Sequence, residues 1–206
     1  MEPQGNNDQR RPGRHTVVGL GEILWDLALG ARHVGGAPLN FSYISSLLGE
    51  HAVIASRVGN DALGDELMIE LSQRGVDVCC VQNDAVLPTG TAIVTVSGDG
   101  QPDYDIKELA AWNAIEWTLE WERLAEQADA VCFGTLAQRF LESRASIRTF
   151  LKSTRASCIR VLDVNLRTPF YTNEVIFDSI GHIASNQRRR VNLGDLLPLL
   201  LHGVGV

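Results

Sequence analysis

Gly35-Gly36-Ala37-Pro38-Leu39-Asn40 sets two glycines ahead of a proline and an amide, a combination suited to holding a small polar ligand. The glycines let backbone approach a ligand closely, Pro38 can open a helix, and Asn40 then presents both a donor and an acceptor on the first turn. Some twenty residues on, Arg57-Val58-Gly59-Asn60-Asp61-Ala62-Leu63-Gly64-Asp65-Glu66 repeats the device. A strand-like run leads into Gly59, Asn60 or Asp61 can cap a helix, and Gly64 falls in its first turn. Asp26 follows an apolar run, where its carboxylate could accept hydrogen bonds from vicinal hydroxyls, each worth about 1.5–3 kcal/mol; a turn or cap aspartate is the alternative. Asp163, Asn165 and Arg167 close another apolar run at alternate positions, which puts all three on one face if the strand stays extended.

Positioning such groups takes a regular framework. Apolar β-rich runs at 15–20, 52–58, 130–134 and 158–164 alternate with helical patterns at 38–48, 62–74, 119–127 and 143–154. That alternation predicts an α/β fold, a mostly parallel sheet flanked by helices, with ligands collecting at the carboxyl ends of the strands. Asp26, Gly35, Gly59, Gly134 and Asn165 are expected just beyond such ends. Residues 27–34 and 89–107 break the pattern, the latter alternating about Ser97-Gly98-Asp99-Gly100 as a hairpin does.

Several classes of function are disfavoured. A net charge of −7 argues against nucleic acid as a partner, since phosphate binding requires a positive footprint. Residues 1–14 are polar and read as a disordered leader without a membrane anchor, and the apolar run 196–201 is interrupted by Pro198 and too short to span a bilayer. Cys79, Cys80, Cys132 and Cys158 show no metal-ligand spacing, nor do the five histidines. Cys132 and Cys158 sit in strand-like runs as small core residues, and a reducing cytoplasm is the expected setting. The dinucleotide fingerprint and the Walker A sequence are absent. Trp112, Trp117 and Trp121 are expected to pack a helix and its approach, with a stacking platform for a sugar as the alternative.

Gly-Gly-x-x-x-Asn followed by Val-Gly-x-Asp-x-x-Gly resembles the N-terminal half of the PfkB, or ribokinase-like, sugar kinases, most closely the fructokinase-type branch. Gly19-Leu20-Gly21-Glu22-Ile23-Leu24-Trp25-Asp26, Pro88-Thr89-Gly90-Thr91 and Leu162-Asp163-Val164-Asn165-Leu166-Arg167 match in the same order, and the likeness covers about residues 15–180. The resemblance implies a ribokinase-like three-layer sandwich with a small β-lid formed by segments 27–35 and 89–107. It implies that Asp26, Gly35, Gly36, Asn40, Tyr104, Asn165 and Arg167 contact a sugar, whereas Gly59, Asp61 and Gly64 shape a structural turn. Pairing of lids would make a homodimer.

In that family ATP, with Mg2+, phosphorylates a sugar hydroxyl, and the base is the aspartate of a Gly-Ala-Gly-Asp motif in the nucleotide-binding half. That motif is absent from this sequence, and Leu193-Gly194-Asp195 offers one glycine where two are needed. Residues 181–206 do not resemble the family's next element and read as a divergent tail. The expectation is a truncated sugar-kinase domain, with a shift of reading frame near Ile180 as its origin; a non-catalytic sugar-binding module or a nonfunctional fragment is the alternative. It would have no catalytic base and no resident metal, and by itself it would not bind ATP.

Overall fold

A computed structural model describes residues 14–28, 30–96, 102–165, 172–184 and 191–192. Its main sheet consists of β1 (Thr16–Leu20), β4 (His51–Gly59), β5 (Asp77–Asp84), β8 (Ala130–Gly134), β9 (Ile159–Asp163) and β10 (Val191–Asn192). They lie in the order β10-β9-β8-β1-β4-β5, and every neighbouring pair is parallel. Parallel neighbours need crossovers. These are supplied by α1 (Ala37–Leu47), α2 (Ala62–Gln73), α3 (Leu119–Gln127), α4 (Leu141–Ser153) and α5 (Asn173–Ala184).

Strand alternation decides which layer each side chain joins. On β4, Val53 and Ala55 enter a core with Trp121 and Leu124 of α3 and Ile147, Phe150 and Leu151 of α4. Ile54 and Val58 face the other way, onto Leu39 of α1 and Leu67 and Leu71 of α2. The result is helix, sheet, helix. Trp121 and Phe150 meet edge to face, with ring centroids 5.9 Å apart, and the Trp121 Nε1 donates to the Cys80 carbonyl. Trp112 and Trp121 are fully buried, as packing residues should be, and so are Cys132 and Cys158.

A second, four-stranded sheet comprises β2 (Leu24–Ala28), β3 (Ala31–Gly35), β6 (Gly90–Val96) and β7 (Pro102–Ile106), ordered β3-β2-β6-β7. β2 pairs antiparallel with β3 and parallel with β6, and β6 and β7 form a hairpin whose expected turn, 97–100, lies outside the described residues.

The described structure departs from the sequence expectations at several points. Asp26 does not follow a core strand: β1 ends at Leu20, and Asp26 sits in the middle of β2, in the smaller sheet. β5 is not among the strands the sequence predicts, because Asp77-Val78-Cys79-Cys80-Val81-Gln82-Asn83-Asp84 has polar residues at both ends and no clean alternation. α5 runs through the boundary expected at Ile180, and the two-residue β10 extends the sheet within the segment read as tail. The leader and most of residues 185–206 lie outside the described residues.

Candidate active site

The passage from β3 into α1 is where the paired glycines act. Gly36 is the residue before the helix and has φ 113, a conformation that L side chains rarely adopt. A Cβ there would also lie 2.5 Å from the carbonyl oxygen of Glu22. Gly35 lacks a side chain for another reason: its Cβ would land on the Oδ2 of Asp26 and 2.8 Å from Cγ. The Asp26 carboxylate therefore leans over Gly35, beside the start of α1. No side chain caps that helix, Pro38 contributes no N–H, and the first intrahelical bond runs from the Asn40 N–H to the Gly36 carbonyl. The amide of Leu39 is thus among the orphan donors of the helix start, next to an exposed Asn40, while that of Ala37 acts on Glu22. Gly19, under α1, has space only for hydrogen: a Cβ would strike the Pro38 carbonyl and Ser42 Oγ.

At the second motif, Asp61 rather than Asn60 caps α2. Its Oδ1 accepts from the Gly64 N–H at 2.8 Å and the Thr89 hydroxyl at 2.7 Å, and its Oδ2 accepts from the Thr89 N–H at 2.8 Å. Partial burial alone would raise this carboxyl, but those donors outweigh it and hold it below the usual range. Gly59 and Gly64 are needed by the same turn: a Cβ on Gly59 would lie 2.5 Å from the Asp61 Oδ2, and one on Gly64 would strike the Gly59 carbonyl. Arg57 binds this region to its neighbours through Asp84 at 2.9 Å and Glu116 at 2.8 Å.

The carboxyl ends of β1, β8 and β9 bring together Glu22, Gly134 and Asp163. Glu22 is fully buried, and neither of its oxygens has a hydrogen-bond partner among the described residues. Burial pushes its carboxyl up to about 8. Its own amide pulls it down, the Asp163 carboxylate pushes it further up, and the Ala137 and Ala37 amides pull it down without reaching hydrogen-bond geometry. Burial thus favours the protonated form of Glu22, a donor as well as an acceptor. Gly134 lies against it, and a Cβ there would come into ordinary contact with its Oε1, at 3.5 Å. Glu22 is not among the site residues the sequence predicts, although a glutamate directly after an apolar strand and Gly21 is a legible signal.

Asp163 and Asn165 do not share one extended face. β9 ends at Asp163, and Asn165 has φ 40, the sole positive φ of a non-glycine among the described residues. Its N–H donates to the Asp163 Oδ1 at 3.0 Å, an Asx turn that breaks the alternation. Arg167 lies outside the described residues. Tyr104 is on β7 opposite Val94, half-buried and packed against the larger core. Nearby, Arg139 stacks on Trp112, 4.4 Å from the ring centroid, and donates to the Lys107 and Glu108 carbonyls. Among the described residues no three histidine, cysteine or acidic side chains converge as a metal-ligand set.

Residues 29–184 match the pfkB family carbohydrate kinase domain. The chain belongs to that family. It is 30% identical over 169 residues to a sugar kinase of Pyrococcus horikoshii, a match covering 77% of this chain and 54% of the relative. The crystal structure of that protein, described as an uncharacterized sugar kinase, superimposes with a TM-score of 0.75 at 27% identity, covering 93% of this chain and 67% of the other, and it has also been solved with ATP. A 2-dehydro-3-deoxygluconokinase of Thermoproteus tenax is 36% identical over 90 residues, 38% of this chain and 28% of the relative. A fructokinase of Xylella fastidiosa with bound ATP shares the fold, with a TM-score of 0.70 at 18% identity over 81% of this chain and 55% of the other. The chain spans about half the length of the Pyrococcus relative. The family to which it belongs consists of ATP-dependent sugar kinases, and no helix among the described residues is long and apolar enough to cross a membrane.

Proposed function

We propose that this chain is the sugar-recognising part of an ATP-dependent sugar kinase. The observation that carries the proposal is the Asp26 carboxylate held over Gly35 beside the uncapped start of α1. A carboxyl acceptor next to backbone donors complements a polyol, whose hydroxyls both donate and accept. In this reading Asp26 accepts from two sugar hydroxyls, and the Gly35-Gly36 backbone forms one wall. Asn40 contributes its amide, and Tyr104 covers the ligand from the smaller sheet. Asn165 and Arg167 are assigned to the sugar in this reading by the family's pattern alone. A ketose or 2-keto-3-deoxy sugar acid is the substrate class proposed, in line with the names of the relatives.

ATP with Mg2+ supplies the transferable phosphoryl group in such a kinase. The described residues offer no ligand set for magnesium, and the sequence has no Gly-Ala-Gly-Asp, so no residue of this chain is assigned to either group. The 206 residues by themselves are accordingly proposed to bind sugar without transferring phosphate. Pairing of the smaller sheets in a homodimer and a cytoplasmic setting belong to the same proposal; β3 is an edge strand with exposed Ala31, Arg32 and His33.

Isothermal titration with fructose and with 2-keto-3-deoxygluconate tests the binding. Saturable binding of one of them, weakened at least tenfold (about 1.4 kcal/mol) by Asp26→Ala and by Asn40→Ala, is expected. No binding of either sugar, or binding indifferent to Asp26, would overturn the proposal. ADP release with ATP and the bound sugar tests the second part, and sugar-dependent turnover would refute it.

A further inference from the structure

Cys79 and Cys80 are consecutive residues of one strand, yet their sulfurs lie 3.7 Å apart. In a regular strand, consecutive side chains point to opposite faces, which separates them. The register explains the difference. Val53 of β4 pairs with Asp77 and Ala55 with Cys80, so a step of two residues on β4 answers a step of three on β5. The extra residue is a bulge, and it cancels the alternation where the two cysteines fall.

The bulge is held on both sides. The Asp77 Oδ1 accepts from the Cys79 N–H at 2.9 Å while its Oδ2 meets His51 at 3.2 Å, and Trp121 Nε1 donates to the Cys80 carbonyl at 3.0 Å. β5 is an edge strand of the main sheet, and Cys79 is exposed whereas Cys80 is buried. All four cysteines are free thiols, and Cys132 and Cys158 are buried and lie on other strands or their approaches.

We propose that Cys79 and Cys80 form a vicinal dithiol that closes reversibly to a disulfide when exposed to a hydroperoxide. The sulfur of Cys79, the one open to solvent, reacts first on grounds of access, although its contact with Cys80, its partial burial and the Asp77 carboxylate hold its thiol above the usual range. An S–O bond forms, the peroxide O–O bond breaks, and hydroxide leaves to take up a proton as water. The Cys80 sulfur then displaces the sulfenic oxygen: an S–S bond forms, the S–O bond breaks, and a second water leaves. Two thiols lose two electrons and two protons, and hydrogen peroxide is reduced to two waters. A disulfide bond is about 2.05 Å long, so the sulfurs must approach by roughly 1.6 Å. The same geometry suits a reagent that needs two sulfurs at once, such as a trivalent arsenical.

The test is a peptide map of the whole chain. After hydrogen peroxide, blocking of free thiols and digestion, an internal Cys79–Cys80 disulfide is expected, with Cys132 and Cys158 blocked as free thiols and a dithiol reductant restoring all four. One equivalent of phenylarsine oxide should protect Cys79 and Cys80 together from alkylation. Cys79→Ser should abolish both results while melting as wild type does, because that side chain is exposed. Oxidation of Cys79 only to sulfinic acid or to a disulfide between chains would overturn the proposal, as would arsenical capture that survives Cys79→Ser. The wild-type map decides alone if a variant fails to fold.

Discussion

Replacing each of the paired glycines with alanine should produce two different failures. At Gly36 the added methyl group meets backbone. φ 113 is strained for any L residue, at about 1–3 kcal/mol, and the Cβ would lie 2.5 Å from the Glu22 carbonyl oxygen and 3.4 Å from the Ile23 Cα, an overpacking worth about another 1–3 kcal/mol. A central value near 3–4 kcal/mol corresponds to a fall in Tm of roughly 6–15 °C for a chain of this size. At Gly35 the obstacle is the flexible end of Asp26 and φ is ordinary, so the carboxylate swings aside. Gly35→Ala should melt within about 3 °C of wild type but bind sugar at least tenfold more weakly. Gly49→Ala is the control, because φ is 90 there and nothing lies within 4 Å of the added Cβ; it reports backbone strain alone, about 1–2 kcal/mol. Thermal melts and sugar titration of the three variants suffice. A Gly36→Ala protein no less stable than Gly49→Ala would refute the packing of Gly36 on Glu22, and unchanged affinity in Gly35→Ala would refute the placement of the sugar beside Asp26.

Other outcomes follow from the same geometry. Glu22 is raised from an unfolded value of 4.5 to about 8, so the folded chain binds the extra proton between those pH values. Stability due to this group is complete below about pH 4.5 and declines as pH rises towards 8, by up to ~1.4 kcal/mol per pH unit; urea titrations across that range should show the slope in wild type and its loss in Glu22→Gln. Asp61 has the opposite sign, since its folded value lies below 3.8, and its contribution should vanish as pH falls through and below that value. Asp61→Ala removes the α2 cap and should cost about 1–2 kcal/mol at pH 7 by urea denaturation, with the acid-side dependence flattened. Phe150→Ala, deep in the larger core against Trp117 and Trp121, should cost about 3–5 kcal/mol while leaving sugar contacts untouched.

Local signals carried far in this chain. Apolar β-rich runs specified β1, β4, β8 and β9 to within a residue or so, and periodicity located α1 to α4 comparably well, because each burial pattern repeats with the period of its own element. The turn at Gly59-Asn60-Asp61 was legible for the same reason: its capping hydrogen bond spans only three residues. β5 was not legible, because its fitness as a strand depends on β4 beside it and on a bulge that no single-strand pattern encodes.

The candidate site divides along the same line. Residue types and spacing marked Asp26, Gly35, Gly36 and Asn40, since a glycine pair before a proline-opened helix is a local event. That Asp26 belongs to the smaller sheet, and that its carboxylate needs the empty side of Gly35, became visible only when β2 and β3 were paired. Asn165 was placed on an extended face by alternation, but the Asp163 carboxylate captured its N–H and turned the chain instead. Glu22 shows the limit most plainly. Its type and position were in the sequence, but its proton is set by burial beneath Gly134 and by Asp163, 141 positions further along. Short-range hydrogen bonding and periodic burial are written in order along the chain, whereas the dielectric around a side chain and the charges facing it are sums over distant residues, and only the folded structure performs that sum.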